Sequence, residues 1–395
     1  MQVYRFAFLF SALAVALPAR PATILILQFH NDSHYADLNW VGEGVAETLM
    51  NELAAHNEIV LDRNSRAEAM RRLSLRPDAV FTKATLIRLG QTLDADYLCY
   101  GTYHANLPPD STQLKDSSVQ VSARLIDLRK MHDGPEFSET GKLADLSRFE
   151  EHLAWQSLQY LQPGADLQLD QFMAPGKLIR VEAQESYIRG LLSSSKDQRQ
   201  KWFRQSAALD PRFSSPDFEL GKLALDRKDY GQAIQWFQHI AASDARYPEA
   251  RFRMGLSAYR TADYQAAANY FREVAKMFPL NEVYNNLAAA ENQLNLPAAI
   301  DDFRRALDGD PNDSTYLFNL GLALFKNNYF DEAQKRLQSV VDRDPNDSEA
   351  ATLLERAQRH EPPAPDAQAD APERLKRNFD ERAFRQLKAM LQPKG

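Results

Sequence analysis

Residues 254–279 read MGLSAYRTADYQAAANYFREVAKMFP, and the way this phrase recurs decides the fold of the C-terminal half. Met254-Gly255 has counterparts at Leu220-Gly221 and Leu320-Gly321, with Leu287-Ala288 between them. Twelve residues beyond each glycine stands a small residue: Ala233, Ala267 and Ala333. In the unit without a glycine it is Ala299, one place early. Four residues further comes a large one: Phe237, Phe271, Phe303 and Leu337. Pro279, Pro311 and Pro345 close three units, and Ala245 takes the proline's place in the first. The alanine spacings are 34, 32 and 34 residues. A period of this length means stacked repeats, because no single unit can bury its apolar face alone.

Each period accommodates two antiparallel helices. The small residues let the helices approach, and the large one fills the gap between neighbouring units. Asp310–Asp313 and Asp344–Asp347 both read Asp-Pro-Asn-Asp. There the proline ends one helix and the polar residues after it cap the next. Glu182 to Arg212 is a degenerate first unit with a compressed Ser193-Ser194-Ser195 loop and the closing phrase Ala207-Ala208-Leu209-Asp210-Pro211. Ser348 to Arg359 is expected to form the solvating cap helix.

From about Ser214 to Gln358 these residues resemble the tetratricopeptide-repeat (TPR) family. The resemblance implies an all-α solenoid over 182–359, of about five units plus the cap helix, that binds other polypeptides on its concave face. Carried over by register, that face takes Phe218, Lys222, Phe252, Leu256, Tyr259, Arg260, Asn285, Asn292, Phe318, Phe325 and Lys326. An apolar stripe at helical spacing suits inter-helix packing equally, so each aromatic has both readings. Chaperone-binding TPRs hold a C-terminal carboxylate in a Lys/Asn/Arg clamp. Aromatics dominate here, and that ligand is not expected.

The N-terminal half follows another grammar. Thr23 to Phe29 is continuously apolar and β-branched, a buried strand. Val41, Val45, Leu49 and Leu53 recur every four residues on an amphipathic helix. Glu58–Asp62 reads as a strand, Asn64-Ser65 as the cap of a short helix, and Thr82 as the start of another. Strands at Tyr97–Tyr103, Val119–Leu128 and Glu136–Lys142 precede a helix at Leu146–Leu161. The order β-α-β-α-α-β-β-β-α makes 23–163 an α+β domain, a mixed sheet with packed helices. Residues 164–181 are expected to be a linker.

Four phrases carry a second resemblance: Leu27 to Asn31, Gly44 to Leu49, Leu93 to Leu98 with Gly101, and Ala123 to Asp127. They resemble the N-terminal-like domain of TolB and the related curli-secretion and flagellar assembly proteins. That resemblance implies an envelope module without enzymatic activity. The propeller blades of TolB do not follow, so no pocket or partner is carried over.

At the start, Arg5 precedes the apolar run 6–17, FAFLFSALAVAL, and small residues follow. Too short to span a bilayer, residues 1–22 read as a secretory signal peptide. Export implies a periplasmic or outer-membrane-associated protein. At the other end, 360–372 is a Pro/Ala-rich linker. Leu375, Phe379, Ala383, Leu387 and Leu391 recur every four residues beside Lys and Arg, so 373–395 is expected to be a basic amphipathic helix. Such a helix suits an anionic membrane surface, a partner groove or the chain's own solenoid.

A net charge of -7 over 395 residues gives no reason to expect nucleic acid. The single cysteine, Cys99, excludes an intrachain disulfide and reads as a buried thiol. His30, Asp32 and His34 alternate on a loop without a further ligand set nearby, which fits a polar turn rather than a metal site. Phosphate loops and nucleophile elbows are absent. The expectation is therefore a non-enzymatic scaffold without cofactor or metal, whose groove takes a protein or peptide partner. The alternative is an envelope sensor in which the N-terminal domain binds a small molecule or glycan and the repeats relay it.

Overall fold

The computed structural model of this chain describes residues 21–76, 79–108, 116–174, 177–363 and 371–380. The expected export signal up to residue 20, and the expected helix beyond residue 380, lie outside the described residues.

Strand β1 (Thr23–Ile26) is buried throughout because both of its faces are covered. Ile24 and Ile26 enter one core with helices α1 (Trp40–Ala55) and α4 (Leu146–Leu161). Leu25 and the following Leu27 enter a second core with α2 (Arg63–Arg72) and α3 (Lys83–Thr92). The remaining strands are β2 (His30–Asn31), β3 (Ile59–Val60), β4 (Tyr97–Asn106), β5 (Ser118–Asp127) and β6 (His132–Lys142). Their order is β3-β1-β4-β5-β6, with β2 beside β4. β1 pairs parallel with β3 and β4, whereas β4, β5 and β6 are antiparallel. This is the expected mixed sheet. The cap of α2 is Asp62, which accepts from the Ser65 N–H, so Asn64 and Ser65 stand inside the first turn rather than before it.

After the short α5 (Leu169–Phe172) come five antiparallel pairs: α6 (Val181–Leu192) with α7 (Lys196–Leu209), α8 (Ser214–Asp226) with α9 (Tyr230–Phe237), α10 (Tyr247–Arg260) with α11 (Tyr264–Met277), α12 (Asn281–Gln293) with α13 (Ala298–Gly309), and α14 (Ser314–Lys326) with α15 (Phe330–Arg343). α16 (Ser348–Gln358) ends the stack. Where a first helix carries the glycine, it lies against the large residue of its own partner helix. A Cβ on Gly221 would stand 2.6 Å from Phe237, on Gly255 2.7 Å from Phe271, and on Gly321 2.8 Å from Leu337. Gly190 faces Phe203 in the same way at 2.4 Å, which extends the rule to the degenerate first unit. The large residue thus fills a gap within its unit, not only between units.

Four units turn from first to second helix through one left-handed residue: Lys228, Ala262, Asn295 and Asn328, with φ of 60°, 60°, 54° and 62°. In the second of them Ala262 N–H donates to the Tyr259 carbonyl and Asp263 N–H to the Ala258 carbonyl, the two hydrogen bonds of a Schellman end. Asp263 then caps α11 through the Ala266 N–H.

The sheet domain and the first helix pair share one core. Val181, Tyr187, Phe203 and Phe213 pack with Leu49, Leu153 and Leu158. At the same junction Glu150 accepts hydrogen bonds from Gln184 and Thr48. The sheet domain therefore covers the first end of the solenoid.

Candidate functional site

On the first helices of the third and fourth full units, the positions two before the glycine or its alanine are Asn286 and Asn319. Each asparagine clamps one residue of the chain's own tail. Asn286 Nδ2 donates to the Lys376 carbonyl at 2.8 Å, and its Oδ1 accepts from the Lys376 N–H at 2.8 Å. Asn319 does the same to Arg374, at 2.7 and 2.8 Å. Asn285 adds a second donor to the Arg374 carbonyl at 3.0 Å and steadies Asn319 at 2.8 Å. Clamped residues two apart are the repeat of an extended chain. An amide has one donor and one acceptor end, so it reads any backbone, whatever its side chains.

Residues 371–380 contain no helix, so the expected helix over 373–395 is not present across that stretch. The carbonyls of Arg374 and Lys376, which a helix would give to N–H groups four residues on, accept from the asparagines instead, and their N–H groups donate to the same two side chains. Leu375 and Phe379, which helical spacing would put on one face, pack against the solenoid core from an extended chain.

Side chains alternate accordingly. Glu373 points to the C-terminal ends of the first helices and is buried. Its carboxylate accepts from Tyr259 Oη at 2.7 Å, Asn292 Nδ2 at 2.6 Å and Gln293 Nε2, with Lys326 Nζ at 3.3 Å. Helix C-termini carry partial negative charge, so a carboxylate there needs a cation and several donors. Burial pushes the Glu373 carboxyl up, but Lys326 and the three hydrogen bonds outweigh it and hold it below its usual range. Arg374 and Lys376 point the other way. Arg374 lies 3.5 Å over the Phe318 ring and forks onto Asp347 at 2.6 and 2.7 Å. Lys376 meets Asp313 at 2.5 Å and lies over Tyr316. Asp313 and Asp347 are also the caps of α14 and α16. The two Asp-Pro-Asn-Asp phrases thus build both the helix ends and an acidic rim. Phe379 meets the Phe252 ring at 5.0 Å.

Of the residues named from the register, Phe252, Tyr259, Asn285, Asn292, Phe318 and Lys326 meet this segment. Phe325 is fully buried beneath Arg356 and beside Phe330. Phe218 packs on Phe237, and Lys222 pairs with Glu219. Leu256 is half-buried and Arg260 exposed. Asn286, Asn319 and Gln293 were not singled out from the sequence, although the glycine register marks the first two as equivalent. A carboxylate pocket containing Lys326 and Asn292 does exist, and it takes a side chain within a continuing chain rather than a chain-terminal carboxylate.

In the sheet domain, burial pushes the Cys99 thiol up to about 12, which keeps it protonated. The loop from His30 is a turn closed by Asn31, which bonds Asn39, Tyr35 and Ser33. Among the described residues no group of three His, Cys, Asp or Glu is placed to hold a metal ion. Among them, too, no helix is long and apolar enough to cross a membrane.

The paired helices with their glycine and large-residue register are tetratricopeptide repeats. Two family profiles described as tetratricopeptide repeat match residues 252–314 and 293–369. Among solved structures the chain is similar to YrrB, titled a TPR protein with an unusual peptide-binding site, at 15% identity over 45% of this chain and 92% of that one (TM-score 0.40). It is similar to MamA from Desulfovibrio magneticus RS-1 at 19% identity over 45% and 94% (TM-score 0.36). The C-terminal domain of LpoB from Salmonella enterica aligns at 15% identity over 31% and 84% (TM-score 0.24). No curated protein matches the chain.

Proposed function

We propose that this protein is a non-enzymatic scaffold of the bacterial envelope whose TPR groove binds an extended segment of a partner polypeptide. The observation that supports the reading is the pair of asparagine clamps on Arg374 and Lys376, because such clamps recognise backbone and perform no chemistry. TPR repeats are a protein-interaction fold, which agrees with that role. The envelope assignment rests on the signal-like start over residues 1–22 and on the TolB-like phrases of the sheet domain. Fractionation with N-terminal sequencing tests it, and an intact Met1 on a cytoplasmic protein would overturn it.

Binding is tested on a chain ending at Arg359, titrated with a synthetic peptide of residues 371–380. Saturable binding that Asn286→Ala with Asn319→Ala abolishes is the expected result. No binding to the open groove would refute the reading.

A further inference from the structure

The tail does more than fill space in the groove, because its side chains engage pockets at fixed offsets. A carboxylate sits among Lys326, Tyr259, Asn292 and Gln293, a cation at the next position meets Asp347, a second at the third meets Asp313, and an aromatic ring at the sixth meets Phe252. Charge alternates across the groove in register with an extended chain, positive at one wall and negative at the other.

Three features mark this occupant as exchangeable. Its backbone at Arg374 and Lys376 and the side chains of Glu373, Arg374 and Lys376 are held by polar and charged contacts, which water can replace when the segment leaves, whereas a permanently docked element is held chiefly by apolar burial. The sequence before it, 362–370, reads PPAPDAQAD, without one bulky apolar residue to fix it. Beside Phe379 an open cleft of about 250 Å³ remains, lined by Phe252, Glu249, Arg253 and Arg377, so the ring does not fill its site.

We propose that the groove is a site for an extended segment of another protein carrying glutamate, basic residues one and three positions later and an aromatic six positions later, and that residues 371–380 occupy it as a stand-in which this partner displaces. This rests on the groove being a polypeptide site. The glutamate is the selective position. Aspartate is one methylene too short for the four donors, and a neutral side chain leaves Lys326, largely buried, without its counter-charge. A tethered competitor at an effective concentration of roughly millimolar keeps the groove closed to weak, non-cognate peptides.

The test uses the full chain and a fluorescent peptide of sequence APERLKRNFD, residues 371–380. Glu373→Ala in the protein is expected to tighten peptide binding at least ~10-fold over the unaltered chain by releasing the tethered competitor. Phe379→Ala should act in the same direction and serves if the first variant folds poorly. Replacing the peptide's own glutamate by alanine should weaken binding to the opened protein about 100-fold, as for truncation of a buried charge pair. Equal binding by the unaltered and Glu373→Ala chains would overturn the stand-in role, while binding to the chain ending at Arg359 would leave the groove's polypeptide function standing. Indifference to the peptide's glutamate would overturn the recognition pattern. Concentration-dependent dimers that Glu373→Ala abolishes would show the tail to be exchanged between copies, against the proposal.

Discussion

Two buried glutamates carry opposite pH signatures. Burial pushes the Glu150 carboxyl up to about 7, against the hydrogen bonds from Gln184 and Thr48. Gln184 Oε1 is buried beside it without a partner, so the cluster has acceptors in excess and a proton supplies the missing donor. A carboxyl whose folded pKa is raised gives stability that is full below its unfolded value of about 4.5 and is lost as pH rises through about 7. At 1.36 kcal/mol per unit this amounts to about 3 kcal/mol. Glu150→Gln is expected to raise the melting temperature at pH 8 and flatten its change between pH 5 and 7; an unchanged pH profile would contradict this. Glu373 is held below the usual range, so tail docking should persist at neutral pH and fail as pH falls through the carboxylate range, read as rising hydrophobic-dye binding. At this scale the sequence was partly legible. Tyr259, Asn292 and Lys326 follow from register alone. Asn286 and Asn319 escaped because the register carried over took the positions three before the glycine or its alanine, Asn285 and Phe318, and the clamps stand one residue further on. Glu373 was unreadable because nothing local says that an isolated glutamate will be buried.

Elements were more legible, since the glycine and large-residue spacings are consequences of packing. Gly255→Val would drive methyl groups into the Phe271 ring, now 2.7 Å from a built Cβ. A loss of about 1–3 kcal/mol is expected, partly restored by Phe271→Ala, which removes the ring that the new side chain meets. Full additivity of the two changes would show that the positions do not touch. Ala262 holds φ of 60° at a helix end where glycine is preferred. Ala262→Gly is therefore expected to stabilise by about 0.5–1 kcal/mol, because it removes the left-handed strain of an L-residue. A lower melting temperature would contradict it. Over 371–380 the element reading failed. A four-residue apolar spacing from Leu375 suggested a helix, but the asparagines of the groove take the backbone groups of Arg374 and Lys376. Periodicity records what a segment can bury alone and does not record a partner that takes its backbone.

At the scale of the molecule, the sheet domain is an end cap of the solenoid. Tyr187 and Phe203 of the first repeat belong to the same core as Leu49 and Leu153, a continuity that the expected linker over 164–181 did not suggest. Deletion of Thr23–Lys142 should expose this surface, lower the melting temperature of the repeats and promote aggregation; an independently stable solenoid would contradict the shared core. The tail gives the molecule its present state, a groove closed by its own chain. The most direct test of that account is amide hydrogen exchange, resolved by residue, across 371–380 in the full chain. The N–H groups of Arg374 and Lys376 should exchange far more slowly than that of Arg377, and Asn286→Ala with Asn319→Ala should remove the protection. Equal exchange at the rate of an unstructured peptide throughout the segment would mean that the tail does not occupy the groove.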